Sequence, residues 1–261
     1  MKVVILAGGY GSRLAEETKY KPKPLVEIGG IPILHHIMQI YMKYGFNDFI
    51  ICCGYKGHLI NNYFKKLIKK KKYNKFISKK NYFEVFVKNK KLFSTTLVDT
   101  GKNTMTGGRI KRIKNFIEDD DFFLTYGDGV ANINLKKLLK FHKSHKKIAT
   151  ITTVQPPNRY GILDIDFKKK NKVLSFDEKP KNKNYYINGG FFVLSNKIFN
   201  FIKNDQTVFE KKTLINLVKK KEVHSYFHNN FWQCMDSMRD KKILESYCNK
   251  NINPPWLKNE N

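Results

Sequence analysis

Apolar strands and amphipathic helices alternate along the first part of the chain. A continuous apolar run from Val3 to Leu6 predicts a strand buried on both faces, as in the middle of a parallel sheet. Apolar residues at helical spacing predict a helix from Pro32 to Gly45, and a second buried strand follows from Asp48 to Cys53. A helix from Gly57 to Leu67 completes a β-α-β-α order, which is typical of a parallel sheet covered by helices.

A lysine-rich segment over residues 65–91 interrupts this pattern. Its alternating run from Phe83 to Val87 predicts an edge strand or hairpin with one solvated face. We interpret the segment as solvated surface, with a flap or a subunit-contact arm as the alternative. Buried strands then return at Thr95 to Thr100 and at Asp121 to Thr125. The helix between these strands, which begins after two glycines, has on its predicted apolar side Ile110, Ile113 and Phe116.

The second half of the chain is less helical. Four further strands, some of them antiparallel, are expected to extend the sheet and to form one wall of a cleft. Their predicted ranges are Ala149 to Val154, Tyr160 to Ile165, Val173 to Glu178 and Ile187 to Leu194. Helices are predicted at about residues 195–203, 208–220 and 238–250. Because no repeat or linker separates these elements, we predict one α/β domain over residues 1–261.

The net charge of +28 raises the question of nucleic-acid binding. Only five of the 50 basic residues are arginine, and the lysines are spread along the whole chain instead of forming a patch with aromatic residues. We therefore predict no nucleic-acid partner. The charge is expected to help recruit polyanionic substrates at low salt.

Cysteine spacing and hydropathy add no candidate site and no membrane span. The four cysteines have no CxxC spacing, and the neighbours Cys52 and Cys53 are interpreted as buried apolar residues on opposite faces of a strand. No signal peptide precedes the first strand, and no apolar run approaches the length of a membrane span. We expect a cytoplasmic protein with no membrane partner.

A glycine-rich loop follows the first strand. Gly8, Gly9 and Gly11 allow a sharp turn and let backbone N–H groups approach an anion with no Cβ in the way, which predicts a phosphate-binding loop. A dinucleotide fingerprint would need a further glycine at Leu14, and a Walker A loop would need Gly-Lys-Ser/Thr where this chain has Gly-Ser-Arg. Neither standard motif fits, so the glycines by themselves indicate either another class of phosphate site or simply a tight turn between a strand and a helix.

Three charged residues add to the candidate chemistry. Arg13 closes the loop, and Lys23 follows in the rigid run KPKP, so both are candidates for contacting a triphosphate. Asp128 follows a predicted strand at its carboxyl end, where open α/β sheets bind ligands. The glycines on either side of Asp128 leave room for a phosphate or a metal ion.

Taken together, LAGGYGSRL and KPKPLVEIGG resemble the signature of the sugar-phosphate nucleotidyltransferases. The segments GYKG, TGGR, TYGDGV, DEKP, INGG and FWQCMD are similar to the branch of that family that acts on CTP and glucose 1-phosphate, over essentially the full chain. The resemblance implies a Rossmann-like, mixed and mainly parallel sheet flanked by helices, with an antiparallel extension on the sugar side. It also implies a nucleotide-binding half, residues 1–130, and a sugar-phosphate-binding half with the C-terminal helices, residues 131–261.

The same resemblance implies roles for individual residues. The nucleotide-binding positions are Leu6, Ala7, Gly8, Gly9, Tyr10, Gly11, Ser12, Arg13, Lys23, Thr104, Arg109 and Asp128. The sugar-phosphate positions are Tyr126, Glu178, Lys179, Asn188 and Gly189. The positions that bind Mg²⁺ are Asp128 and Asp236, and the catalytic set is Arg13, Lys23, Asp128 and Asp236. Thr104 and Arg109 are assigned to the cytosine side, because arginine can donate to the O2 and N3 acceptors of cytosine.

The implied reaction transfers a cytidylyl group from CTP to glucose 1-phosphate and releases pyrophosphate. It needs no activated protein nucleophile, because the attacking phosphate oxygen is already ionised at neutral pH. The protein must hold two polyanions in line and neutralise the leaving group, and Mg²⁺ bound by one or two carboxylates and substrate phosphates suits that task. The resemblance also implies a homo-oligomer.

Two departures and three alternatives accompany this hypothesis. Cys234 replaces a proline of the relatives, and residues 65–91 do not match them. The same fold could use UTP or dTTP, or it could act on another phosphorylated sugar or polyol. A catalytically inactive nucleotide-sugar sensor is the alternative from a different class, because a fold does not fix a function.

Overall fold

The computed structural model describes residues 1–69, 73, 75–88, 90–118, 121–156, 162–166, 168–177, 186–248 and 253–259. The strands are β1 (Val3–Ala7), β2 (Glu27–Ile28), β3 (Ile31–Pro32), β4 (Asp48–Cys53), β5 (Lys75–Lys79), β6 (Tyr82–Val87), β7 (Lys90–Asp99), β8 (Phe122–Tyr126), β9 (Gly129–Ala131), β10 (Ala149–Val154), β11 (Ile162–Asp166), β12 (Lys172–Asp177), β13 (Ile187–Leu194), β14 (Val223–Phe227) and β15 (Trp232–Cys234). The α-helices are α1 (Ala15–Thr18), α2 (Ile33–Met42), α3 (Gly57–Leu67), α4 (Thr106–Arg112), α5 (Leu135–His145), α6 (Leu214–Lys219) and α7 (Met238–Ser246). Shorter 3₁₀ turns are Ser12–Leu14, Lys23–Leu25, Lys114–Phe116, Asn196–Phe201 and Pro255–Leu257, and Phe209–Thr213 is a π-helix.

Within the described residues, nine strands form one sheet in the order β14-β10-β13-β8-β1-β4-β7-β6-β5. The four central strands β8, β1, β4 and β7 are parallel. On one side β13 lies antiparallel between β8 and β10, and on the other side β6 and β5 continue the sheet in antiparallel order. The predicted mixed sheet with a parallel centre and an antiparallel extension is confirmed.

Strand β1 lies at the centre of the sheet and is buried on both faces, as its apolar sequence predicts. Val3 and Ile5 belong to a core cluster that includes residues of α2 and α3. Val4 and Leu6 belong to the cluster on the opposite face, with residues of α4 and α6. Each face of the sheet therefore has its own core, and the alternation of side chains along β1 joins the two.

Within residues 65–91, the two strands β5 and β6 belong to this sheet. Strands β5 and β6 form an antiparallel hairpin, and every residue of β5 is exposed at the sheet edge. Phe83 and Val85 of β6 point to the other side and are fully buried. The predicted hairpin with one solvated face is confirmed, whereas the interpretation as plain surface holds for β5 and not for β6.

Several predicted elements differ from the structure in the second half. Strands β11 and β12 pair only with each other and do not extend the main sheet, and the outer residues predicted for them, Tyr160 and Glu178, lie outside the described residues. The helix predicted at 195–203 is a 3₁₀ helix that begins where the Ser195 hydroxyl accepts a hydrogen bond from the Lys197 N–H. The helix predicted at 208–220 begins as a π-helix.

Helix α4 is also shorter than its apolar pattern predicts. It ends at Arg112, so Phe116 lies in a separate 3₁₀ turn and is 41% exposed. Its predicted place on the apolar side is therefore wrong, whereas Ile110 and Ile113 are buried as expected. The N-terminus of α4 packs so closely on residues 205–207 that only glycine fits at two of its positions.

Two of the longer elements have no counterpart among the predictions. Helix α5 is rich in lysine, and its buried residues are limited to Leu135, Leu138 and His142. Asn134 caps it by accepting a hydrogen bond from the Lys137 N–H at 3.0 Å, a signal that the sequence does contain. Strand β14 is an edge strand with no buried residue, so it has no apolar run to predict it. None of the described helices combines the length and the apolar character that crossing a membrane requires.

We predict that Gly108→Ala destabilises the protein. Helix propensity alone favours alanine over glycine by about 1 kcal/mol. A Cβ at Gly108, however, would lie 2.5 Å from both the Cα and the carbonyl oxygen of Asp205, and such overpacking costs about 1–3 kcal/mol. Urea unfolding should therefore show a lower free energy of unfolding for this variant.

Gly129→Ala is the matched control, because a Cβ there would have as its nearest neighbour an oxygen of Gln233 at 4.0 Å. This variant should be as stable as the wild type or slightly more stable. A Gly108→Ala variant that gains stability would contradict the described packing of α4 on Asp205.

Candidate active site

A cleft of about 720 Å³ opens at the carboxyl ends of the central strands. This is the edge at which parallel α/β sheets bind ligands. All twelve residues that the sequence assigns to the nucleotide line the cleft: Leu6, Ala7, Gly8, Gly9, Tyr10, Gly11, Ser12, Arg13, Lys23, Thr104, Arg109 and Asp128. Tyr126, which the sequence assigns to the sugar phosphate, lines it as well. The structure therefore brings the whole predicted nucleotide set together.

The glycine-rich loop turns at Gly11. This residue has a φ of 67°, in the left-handed region that favours glycine. A Cβ there would also lie 2.8 Å from the Thr18 side chain and 3.1 Å from Cβ of Lys23. Gly11 thus lets the loop double back, and Arg13 follows in the 3₁₀ turn that comes next.

Lys23 is the centre of the charged part of the cleft. Its Nζ donates to Asp128 Oδ2 at 2.6 Å and to Asp236 Oδ1 at 2.7 Å, and its side chain is only 10% exposed. Burial by itself lowers the pKa of Lys23, but the charges and hydrogen bonds of the two carboxylates outweigh burial, and the pKa is raised. Lys23 is therefore a fixed positive charge between two negative ones.

Asp236 reaches this position through a short antiparallel pair, β15 with β9. The pairing extends one residue further, where the Met235 N–H donates to the carbonyl of Asp128 at 2.8 Å. Asp236 is therefore the residue directly after the one that pairs with Asp128. The Asp236 N–H donates to Asp240 Oδ2 at 3.1 Å, at the capped start of α7. Strand pairing and helix capping together hold Asp236 beside Asp128.

Arg13 gives Asp236 a second cationic partner. Its Nη1 donates to Asp236 Oδ2 at 2.7 Å, while the arginine side chain remains 74% exposed. Burial alone raises the pKa of Asp236, but Lys23 and then Arg13 outweigh this and lower it. Asp236 is therefore ionised at neutral pH.

The paired carboxylates form a suitable donor set for a magnesium ion. Asp128 and Asp236 converge on one nitrogen, and carboxylate oxygens are the hard ligands that Mg²⁺ prefers. Among the described residues no cluster of three or more His, Cys, Asp and Glu side chains could hold a metal. Two carboxylates with waters and substrate phosphates are a usual shell for Mg²⁺, so the residues fit the predicted ion.

The predicted sugar-phosphate residues are described in part. Asn188 donates from Nδ2 to the Tyr126 hydroxyl at 3.1 Å, and the carbonyl of Gly189 accepts from Trp232 Nε1 at 2.7 Å. Asn188 and Gly189 therefore lie on β13 beside Tyr126, which lines the cleft, although they are not part of the lining themselves. Glu178 and Lys179 lie outside the described residues, so their assignment stays a prediction.

Arg109 braces the loops that form the cleft. It is almost fully buried, and its guanidinium donates to the carbonyl oxygens of Gly8 at 2.9 Å and Gly101 at 2.8 Å and to the Thr100 hydroxyl at 2.7 Å. Burial lowers the pKa of Arg109. These contacts hold the ends of β1 and β7 together, a role that the sequence did not suggest. The assignment of Arg109 to the cytosine base stays a prediction.

Several lining residues were missed by sequence reasoning. They are Pro24, Lys102, Asn103, Met105, Thr106, Gly127 and Gln206. Most of them could have been found, because the loop after β7 must end at the same edge as the loops after β1 and β8. The Tyr10 hydroxyl donates to Asn103 Oδ1 at 2.7 Å, which joins the glycine-rich loop to this second loop.

A glycine-rich loop and paired carboxylates at the carboxyl ends of parallel strands are suited to transferring a nucleotidyl group, and the chain belongs to the nucleotidyl transferase family, whose family model matches residues 2–239. Within that family it is 49% identical over 257 residues to the glucose-1-phosphate cytidylyltransferase of Salmonella typhimurium, with 98% of both chains covered. The Salmonella typhi protein of the same name has the same identity and coverage.

The solved structure of HddC from Yersinia pseudotuberculosis complexed with GMP-PN shares the fold. Its TM-score is 0.67 at 26% identity, and the match covers 94% of this chain and 98% of that chain. The fold similarity therefore extends over nearly the whole of both proteins.

We predict that Asp236 makes the stability of the protein depend on acid pH. Its pKa is lowered by folding, so its ionised form stabilises the fold above the unfolded pKa of about 4, and this contribution is lost as the pH falls through the lowered pKa. The Asp236→Asn variant lacks this contribution to stability, because an amide side chain does not ionise. The free energy of unfolding by urea should differ most between wild type and variant near neutral pH, and the difference should shrink toward pH 3. A difference that stays constant or grows on acidification would contradict the ion pairs described.

Proposed function

We propose that this protein transfers the cytidylyl group of CTP to glucose 1-phosphate and releases pyrophosphate. The observation that carries the proposal is the contact of Lys23 with both Asp128 and Asp236 inside the cleft formed by the glycine-rich loop. The choice of CTP and glucose 1-phosphate is supported by the two relatives at 49% identity that are named for that activity.

The chain's own residues supply binding and charge rather than a nucleophile. The phosphate oxygen of glucose 1-phosphate attacks the α-phosphorus of CTP, and the bond to the leaving pyrophosphate breaks. Cys234 is the cysteine beside the carboxylates, with its Sγ 3.8 Å from Asp236, but burial and the nearby acidic charges raise its pKa to about 12. It therefore remains a thiol, and direct transfer between the substrates is the simpler mechanism.

Arg13 and Lys23 are proposed to bind the triphosphate. Arg13 is exposed at the cleft, so it can turn from Asp236 to phosphate oxygens. Lys23 is buried and held in place, so it provides a positive charge that needs no reorganisation during the reaction. Both cations would stabilise the negative charge that develops on pyrophosphate.

We propose Mg²⁺ as the cofactor, held by Asp128 and Asp236. When bound, the ion supplies neutralisation of the triphosphate charge. The support for this assignment is the convergence of the two carboxylates. The cytosine base is proposed to lie near Thr104 and Arg109, with UTP or dTTP as the alternative nucleotide and another phosphorylated sugar or polyol as the alternative acceptor.

We further propose that the protein is cytoplasmic and assembles with copies of itself. All four cysteines are free, which suits a reducing compartment. Strand β5 lies at the edge of the main sheet, with Phe76 46% exposed and Ile77 37% exposed, and such an edge can pair with another chain. Light scattering at micromolar concentration should give a multiple of the 30.7 kDa chain mass, and a monomer would contradict the assembly.

Pyrophosphate release tests the activity. Purified protein with Mg²⁺ and glucose 1-phosphate should release pyrophosphate with CTP and not with UTP, dTTP or ATP. Release with another nucleotide would change the base assignment, and release with CTP only when the acceptor is replaced would change the sugar. Ligand binding with no turnover for any pair would favour the inactive sensor.

Asp236→Asn should lower the rate of this release by about 10²- to 10³-fold, because it removes a charge that acts in the transition state. Asp48→Asn is the matched control. Asp48 also pairs with a lysine, Lys2 at 2.6 Å, but it lies at the start of β4, at the opposite edge of the sheet from the cleft. Equal rates for the two variants would contradict the role given to Asp236.

A further inference from the structure

A carboxylate that no sequence motif marks lies between two residues of the cleft lining, Tyr126 and Thr106. Glu210 is half-buried in the π-helix Phe209–Thr213. Its Oε1 accepts a hydrogen bond from the Tyr126 hydroxyl at 2.6 Å, and its Oε2 accepts one from the Thr106 hydroxyl at 2.7 Å. Tyr126 ends β8 just before Asp128, whereas Thr106 begins α4 after the loop that lines the nucleotide side.

The local backbone orients the Thr106 hydroxyl that donates to Glu210. π-helical turns are rare and are frequently found at functional sites. Here the turn allows the Phe209 N–H to donate to the Thr106 hydroxyl at 2.9 Å. That hydroxyl therefore accepts from the backbone and donates to Glu210, so both of its hydrogen-bonding roles are used.

The carboxylate sets the direction of the hydrogen bond between Tyr126 and Glu210. An ionised carboxylate can only accept, so the Tyr126 hydroxyl must donate to Glu210 and is left to accept from Asn188 Nδ2 at 3.1 Å. The Gly190 N–H donates to Asn188 Oδ1 at 2.8 Å, which fixes the other end of the amide. The orientation of Asn188 is thus set from both sides.

Four side chains consequently form one hydrogen-bonded series, of which Thr106 and Tyr126 line the cleft: Thr106, Glu210, Tyr126 and Asn188. The pKa of Tyr126 is raised, first by burial and then by the charge and hydrogen bond of Glu210. Glu210 is the member whose charge gives the series its direction.

We propose that Glu210 is a positioning residue for the acceptor: through Tyr126 it presents the Asn188 amide in one orientation to the sugar of the sugar phosphate. Glu210 is not among the residues that line the cleft, so it is assigned a role through Tyr126 and not a direct contact with the substrates. This inference rests on the proposed function, because an acceptor sugar must bind beside Asn188. Its consequence is that Glu210 affects acceptor recognition more than nucleotide binding.

Glu210→Gln tests this directly. The amide keeps the size of the side chain but removes its negative charge. The Tyr126 hydroxyl therefore loses its charged acceptor, whichever of the two hydroxyl groups the amide nitrogen faces. Losing a hydrogen bond to a charged group should raise the KM for glucose 1-phosphate about tenfold. The KM for CTP should change less than about threefold, because the glycine-rich loop is held by Arg109, which does not depend on Glu210.

Tyr126→Phe is the second variant, and it should show the same split between the two KM values. The double variant should be no worse than either single one, because all three break the same series. Glu222→Gln is the matched control. Glu222 is also half-buried and pairs with Lys147 at 3.4 Å, but it lies outside the cleft lining, and its replacement should leave both KM values unchanged.

The outcomes separate the inference from the proposed function. An active wild-type protein whose Glu210→Gln and Tyr126→Phe variants keep the wild-type KM for glucose 1-phosphate would overturn the inference alone. An equal rise in both KM values would also overturn it, since that is the result of a general structural defect. A wild-type protein that neither binds nor turns over a sugar phosphate would overturn the proposed function and the acceptor role together.

Discussion

The contact of the Lys23 ammonium with Asp128 and Asp236 is the interaction on which the cleft depends. The two aspartates follow strands that are far apart in sequence, and β9 and β15 bring them together. Without Lys23, two partly buried carboxylates would face each other with the exposed Arg13 as their remaining cationic neighbour in the structure described, which is costly in a protein interior. The lysine therefore joins the two halves of the chain and also sets the charge at the point where a triphosphate would bind.

Around this centre the site is built from loops that hold one another. Arg109 connects the glycine-rich loop to the end of β7, and Tyr10 connects it to Asn103. Glu210 connects the start of α4 to the end of β8. The chemistry that we propose requires two polyanions to be aligned and their charge neutralised, and a rigid, cross-linked set of loops serves that need better than a reactive side chain.

The elements that the sequence predicts best are those with an unambiguous apolar pattern. Strands β1 and β4 and helix α3 agree with the prediction, because their buried residues are apolar and either consecutive or spaced at the helical period. The edge strand β14 and the lysine-rich helix α5 lack that signal. The phosphate loop and Asp128 follow from local motifs, whereas Asp236 was reached only through the family resemblance, because no local pattern reports a strand pairing with β9. Glu210 and the bracing contacts of Arg109 depend on tertiary packing, so no pattern in the sequence pointed to them.

The claim that Asp128 and Asp236 hold the catalytic metal is tested most directly by anomalous scattering from crystals grown with CTP and Mn²⁺ in place of Mg²⁺. The account predicts one metal peak with an oxygen of each aspartate in its shell, at about 2.0–2.2 Å, together with triphosphate oxygens. A metal bound by the triphosphate alone, with neither aspartate in its shell, would contradict the account.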